Sequence, residues 1–331
     1  MNTRRFVATL AARNREFLRD RMALSWNILL PVLIVMGFAF AFTSDNQELF
    51  KVGVKGEPEG EHAFLATRHI TFIAVDELDG NIPKVERHQL DMLLDLELQR
   101  YWINRTSAKG YILEQLLAAD GKTFSRQAVN GKEIRYVDWL IPGVLGMNVM
   151  FSSLFGVGYV IVRYRKNGVL KRLKATPLTP FEFLSAQVVS RLWLIVMLTS
   201  LVYAGTDIFV GFRMNGSYLT LLLVLTLGTL SMISLGLIIA ARMANEEAAN
   251  GLLNMLSWPM MMLSGVWFSL EGSPLIVQQL ALLLPLTHLT EAARAVMIDG
   301  AGLWEIRWHL VVLAVMTVIF MAIGARTFRW E

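Results

Sequence analysis

The chain has 331 residues, of which 54% are hydrophobic and only 18% charged, with a formal net charge of +4 and no cysteine. Soluble domains carry about 25% charged residues, so this composition, with several apolar runs of bilayer-spanning length, marks an integral membrane protein. The lack of cysteine excludes disulfides, iron–sulfur clusters and thiol chemistry.

In chain order, residues 1–42 join a basic amphipathic segment to a first apolar run at 24–42. Phe6, Val7, Leu10, Ala11, Phe17 and Leu18 fall near one side of a helical wheel, with Arg4, Arg5, Arg13, Arg15, Arg19 and Arg21 mostly on the other. That pattern predicts an N-terminal interfacial helix. Ala39-Phe40-Ala41 imitates a signal-cleavage site, but the basic region is long and the run nearly spans a bilayer, so an uncleaved first helix is expected. Further runs at 139–162, 186–210, 218–241, 251–270 and 308–328 bring the expected transmembrane helices to six.

Between the first two runs, residues 43–137 carry charges regularly. Short β-rich stretches at 50–54, 70–75 and 93–98 alternate with helix-like stretches at 83–92 and 111–119, predicting a small extracytoplasmic α/β domain. Asn104-Arg105-Thr106 fits a glycosylation acceptor, a tripeptide common by chance. Residues 138–331 supply the remaining five helices.

The connector at 163–184 holds Arg163, Arg165, Lys166, Lys171, Arg172 and Lys174. Basic loops beside membrane spans stay on the cytoplasmic side, so both termini, including Arg326 and Arg329, are expected there in a multi-pass protein of the bacterial inner membrane. Each basic stretch abuts an apolar run, so anionic lipid headgroups rather than nucleic acid are the expected contact. Asn167-Gly168 should break the second helix, Val169–Lys174 should form a short amphipathic helix, and Thr176-Pro177 with Thr179-Pro180 should stop it.

Gly228, Ser231, Ser234 and Gly236 give the fourth run a face that lets helix backbones approach closely in lipid. Residues 274–286 are apolar but too short to cross, and Pro285 breaks them, which reads as a re-entrant or interfacial helix pair between the fifth and sixth spans. Non-helical backbone at membrane depth survives where protein or a water-filled cavity covers it. Glu271, Pro285, His288, Glu291 and Arg294 are therefore candidates for a pathway or outer gate.

Catalytic signatures are missing. Gly121-Lys122-Thr123 resembles the end of a phosphate-binding loop, but Leu116 stands where the upstream glycine belongs. His288 and Glu291 are spaced i, i+3, and two ligands do not make a metal site. Asp138, Arg191, Asp207 and Glu271 all lie near run ends, whereas gradient-driven carriers place ionisable groups within the bundle. Energy for any transport must then come from outside the chain.

Three places carry a resemblance: the 167–180 loop with its glycine, basic-leucine and Ala175-Thr176-Pro177-Leu178-Thr179-Pro180 signature; Leu284-Pro285-Leu286-Thr287-His288 followed by Glu291-Ala292-Ala293-Arg294; and the order of spans around one large outer domain. In these the chain resembles permeases of the type-2 ABC exporter family. The resemblance implies a coupling helix docking on cytoplasmic ABC ATPase subunits, contacted or shaped by Gly168, Leu170, Lys171, Arg172, Leu173, Ala175, Thr176 and Pro177. It also implies ATP and Mg on that partner, none on this chain, no enzymatic activity here, and a second permease copy or close relative. The expected cargo is drug-like or otherwise hydrophobic, and Met255, Met260, Met261 and Met262 offer an adaptable face for it. The competing reading is a membrane-anchored sensor or assembly scaffold with an outer ligand-binding domain.

Overall fold

The computed structural model describes residues 3–41, 50–56, 63–78, 80–86, 90–119, 123–131, 136–212, 214–243, 245–268, 270, 274–328 and 330. The chain forms two compact units, Met1–Ala41 with Val137–Glu331, and Phe42–Tyr136. It begins with helices α1 (Thr3–Arg19) and α2 (Arg21–Ala41). The smaller unit follows as β1 (Phe50–Lys55), β2 (Ile70–Ala74), α3 (Ile82–Glu86), β3 (Met92–Asp95), β4 (Arg100–Asn104), α4 (Ala108–Ala119) and β5 (Ser125–Val129). The helical unit resumes with α5 (Tyr136–Ser153), α6 (Val160–Lys166), α7 (Val169–Lys174) and α8 (Pro180–Val210). It ends with α9 (Tyr218–Ala240), α10 (Glu246–Leu263), α11 (Leu275–Ala281), α12 (Pro285–Met297) and α13 (Arg307–Thr327).

Among the described residues four helices are long and apolar enough to cross a membrane: Tyr136–Lys166, Pro180–Val210, Tyr218–Ala240 and Arg307–Thr327. Two bent pairs, each counted as one span, bring the number up to six: Thr3–Arg19 with Leu24–Phe38, bent by 58°, and Leu275–Ala281 with Pro285–Met297, bent by 92°. The expected run at 251–270 is corrected. Its helix is α10, which begins earlier, ends at Leu263, and is not one of the four. The chain turns there through Gly265, at φ 64°.

The second span is longer than the 139–162 expected, because a π-helical segment, Leu154–Tyr159, carries α5 directly into α6 as one 31-residue helix. Glycines at this bulge allow close packing: a Cβ on Gly158 would lie 3.1 Å from the Gly236 carbonyl oxygen of α9. The small residues of α9 are buried, and a Cβ on Gly228 would meet Leu289 of α12 at 2.5 Å. A larger residue there would have to displace the Leu289 side chain.

Helix α8 starts six residues before the apolar run that predicted it. Thr179-Pro180, expected to end the short helix, instead opens α8. The Thr179 hydroxyl accepts from the Glu182 amide at 3.2 Å, the Glu182 carboxylate accepts from the Thr179 amide at 3.1 Å, and Pro180 occupies the first helical position.

The smaller unit is a five-stranded mixed sheet in the order β2-β1-β3-β4-β5, with only β3–β4 antiparallel. The expected strand at 93–98 stops at Asp95, whose buried carboxylate accepts from the Glu97 and Leu98 amides and turns the chain into β4. Strands β4 and β5 were missed, and α3 ends at Glu86, short of the expected helix. Alternation decides the layers: Met92 and Leu94 join Leu113 and Leu117 of α4, while Leu93 joins Val85 of α3 on the opposite face. Asn104 is buried, donating to the carbonyls of Glu86 and Gly131 at 2.8 and 3.0 Å, so its tripeptide is a structural clasp rather than an exposed acceptor.

Tyr101 tests this core. Its hydroxyl donates to Glu114 at 2.6 Å, and burial, reinforced by that carboxylate, pushes the phenol up to about 12. The unfolded phenol ionises near pH 10, so from about pH 10 to 12 the unfolded chain loses a proton that the folded unit keeps, and the stability present below that window declines. Tyr101→Phe is expected to lower stability by about 1 kcal/mol at neutral pH. The gap between variant and wild type should narrow at pH 11, as chemical denaturation at the two pH values would show.

Candidate functional site

The connector from α6 to α8 is built to hold a short helix in place. Its entry requires a left-handed residue, supplied by Gly168 at φ 70°, and α7 starts with the Arg172 amide bonding the Gly168 carbonyl at 3.1 Å. Leu170 is fully buried and anchors α7 from below. Lys171, Arg172, Ala175, Thr176 and Pro177 are exposed, and Leu173 is half-buried. Gly168→Ala meets open space but would force a Cβ into the left-handed region, so a cost of about 1 kcal/mol is expected, readable as a small fall in melting temperature without loss of expression.

Both flanks of α7 are clamped. The Arg165 guanidinium bonds the carbonyls of Ala240 at 2.9 Å and Ala241 at 3.0 Å, and that of Met243, capping the free C-terminal carbonyls of α9. Lys166 pairs with Glu246 of α10 at 2.9 Å. On the other side Arg5 donates to the Pro177 carbonyl, tying α1 to the end of the connector.

Helix α1 is strapped along α6 and α8. Arg13 donates to Glu16 at 2.6 Å and to the Tyr164 hydroxyl, which also bonds Glu16, and Arg163 stands 3.6 Å from the same carboxylate. Asn14 accepts from Ser190 at 2.5 Å and Trp193 at 3.2 Å. The expected division of α1 holds at most positions, with Phe6, Leu10, Ala11 and Phe17 buried or half-buried and Arg4, Arg5, Arg15 and Arg19 exposed, and Arg13 is an exception. Arg13 is buried beside Phe17, whereas Val7 and Leu18 are exposed, because the face packed on α8 needs a polar anchor as well as an apolar one.

A second polar cluster lies on α12. Pro285 is its first residue, and His288 is buried with its Nε2 2.9 Å from the Leu282 carbonyl. A carbonyl only accepts, so Nε2 carries a hydrogen, and Nδ1 lies 3.1 Å from His309 Nδ1. Glu291 stands 3.8 Å from the same His309 nitrogen. Arg294 stacks on Trp139 at 4.0 Å and donates to the Gly265 carbonyl at 2.9 Å, while Thr290 donates to the Ser264 carbonyl at 2.8 Å. The turn after α10 is thus fastened to α12 by hydrogen bonds.

Glu291 and Arg294 border a cavity of about 370 Å³ with Trp139, Gln278, Thr287 and Asp299. His288 faces α13 instead, and Glu271 lies outside the described residues, as do Gly121 and Lys122. No group of three His, Asp or Glu among the described residues is placed to hold a metal. The four methionines do not form one face: Met260 and Met261 are buried, while Met255 and Met262, two turns apart, are exposed. His309 and Tyr164 escaped the sequence reading because each meets its partner only through helix packing.

A short cationic helix set between candidate membrane-crossing helices, together with a polar cluster on a bent helix pair, marks a multi-pass membrane protein. The ABC-2 type transporter family model matches residues 88–298, and the chain belongs to that family as a type-2 ABC permease. It is similar to the inner membrane transport permease YhhJ of Escherichia coli (28% identical over 185 residues, 55% of this chain and 49% of that relative). The chain therefore spans about half the length of that relative. It is also similar to the probable multidrug ABC transporter permease YbhS of Escherichia coli, 22% identical over 370 residues, covering 99% of this chain and 95% of that relative. The daunorubicin resistance ABC transporter permease protein DrrB1 of Streptomyces coeruleorubidus is 24% identical over 200 residues, covering 59% and 69%.

Proposed function

We propose that the chain is the transmembrane subunit of an ATP-driven exporter, pushed through α7 by a separate cytoplasmic ATPase that carries the ATP and Mg. The observation that carries this reading is the clamped helix itself. Lys171 and Arg172 project from a helix whose Leu170 is buried and whose flanks are tied to α1, α9 and α10. A force applied there reaches several helices at once, because packed elements shift as units rather than deforming. Gly168, Leu173, Ala175, Thr176 and Pro177 shape the docking face.

In this scheme a second copy or a close relative completes the pathway, both termini and α7 lie in the cytoplasm, and the β1–β5 unit lies outside a bacterial inner membrane. The α11–α12 pair is a re-entrant element, and Pro285, His288, Glu291, Arg294 and Glu271 belong to an outer gate. Relatives named for multidrug and daunorubicin resistance support a hydrophobic or drug-like cargo moved outward. With no native cysteine, the single variant Lys171→Cys tests the side directly. A membrane-impermeant maleimide should label it only in inverted vesicles. Labelling in intact cells would overturn the scheme, and a chain purified without any ATPase would point to the sensor or scaffold.

A further inference from the structure

A further cavity, about 530 Å³, opens between α1, α2, α5, α6, α8 and α10. Arg191 of α8 and Asn148 of α5 border it, each only 7% exposed, and neither side chain makes a hydrogen bond or a salt bridge with the described residues. The Arg191 guanidinium stacks on Phe17 at 4.6 Å and lies beside Gly156, where a Cβ would come within 3.5 Å of it. Glu16 also borders the cavity, but its carboxylate is already taken by Arg13, Tyr164 and Arg163. Asp20 stands exposed at the rim. Arg163 and Arg191 thus line the cavity with the carboxylates of Glu16 and Asp20, and Arg13 stands behind Glu16 as its ion-pair partner.

The rest of the wall mixes apolar side chains with the amides of Asn27, Asn250 and Asn254 and the Ser152 hydroxyl. Phe151, Phe155, Ile195 and Leu198 line it, and Trp26 and Leu30 lie exposed at its mouth. A ring face offsets only part of what a guanidinium loses on leaving water, so a buried Arg191 with no carboxylate in ion-pair range among the described residues is suited to an anion. Arg191 lies eleven residues beyond Pro180, roughly 16 Å along the helix, in the half of α8 nearer α7.

We propose that this cavity binds a phosphate-headed membrane lipid. Its phosphate rests on Arg191 and Arg163, whose planar forks suit phosphate oxygens, and the Asn148 amide adds a donor. The acyl chains leave past Leu30 and Trp26. The bound lipid would fasten α1 and α2 to α5 and α8, and nothing in this assignment depends on the transport reading above.

Native mass spectrometry of the full chain in detergent, titrated with dioleoylphosphatidylglycerol, dioleoylphosphatidylcholine or inorganic phosphate, tests it. The anionic lipid should bind about tenfold more tightly than the zwitterionic one, as charge-assisted contacts predict. Arg191→Gln should erase that preference and Arg191→Lys should keep most of it. Should Arg191→Gln fail to fold, Leu30→Trp, which fills the mouth and leaves the charges, should weaken lipid binding by a similar factor. Equal binding of both lipids, or anionic-lipid binding unchanged in Arg191→Gln or in Leu30→Trp, would overturn the proposal. Inorganic phosphate displacing the lipid completely would identify a free-phosphate site instead and equally overturn it.

Discussion

Reversing both exposed charges of α7, Lys171→Glu with Arg172→Glu, is expected to lower ATP-stimulated transport by about tenfold or more, because like charges set against a matched docking face cost at least about 1.4 kcal/mol. Neither side chain reaches beyond the connector, where Arg172 makes one exposed bond to the Asn167 carbonyl at 3.3 Å. Both are exposed, and the clamps on the connector come from Arg5, Arg165 and Lys166. The variant should therefore express and melt like the wild type while failing to retain its ATPase, which separates coupling from folding. Transport into inverted vesicles and co-purification of the ATPase measure the two quantities on one preparation. Normal coupling in this variant would remove α7 from the mechanism.

Gly143→Ala is expected to destabilise the helical unit by about 3 kcal/mol, the upper part of the range for overpacking. A Cβ there would stand 2.5 Å from the Val266 carbonyl oxygen and 3.0 Å from its Cα, and backbone cannot swing aside as a side chain can. The displaced turn carries the Ser264 and Gly265 carbonyls that accept from Thr290 and Arg294. Function of the polar cluster on α12 should fall with stability. Gly205→Ala in α8 is the control. It meets open space, so the better helix former should be neutral or stabilising by up to about 1 kcal/mol. Unfolding in detergent, followed by tryptophan fluorescence, would compare them, and equal stability of the two variants would refute the close approach.

The short helix at 169–174 was legible because its boundaries are local. Gly168 takes a backbone conformation that side chains resist, and six residues that mix three apolar with three basic side chains follow. The start of α8 was misread for a related reason. Thr-Pro stops a helix and Thr-Pro-x-Glu opens one, and the reciprocal Thr179–Glu182 bonds decided for opening. Strands β4 and β5 were missed because Arg100 and the polar Ser125–Val129 stretch weaken the hydrophobic signal, while their pairing residues lie across the sheet. The fifth run was placed too late because apolar residues after Leu263 form a turn held to α12, not another helical turn.

The amino-acid sequence by itself determined that the chain is a membrane protein, where its basic connector falls, and which small residues let helices approach, since composition, charge and spacing are properties of the chain alone. Only the tertiary structure decided that His288 meets His309, that Arg13 is buried against Tyr164, and that Arg191 borders a cavity beside Asn148. These pairings join helices distant in sequence. Their partners are selected by packing geometry, which no local pattern encodes.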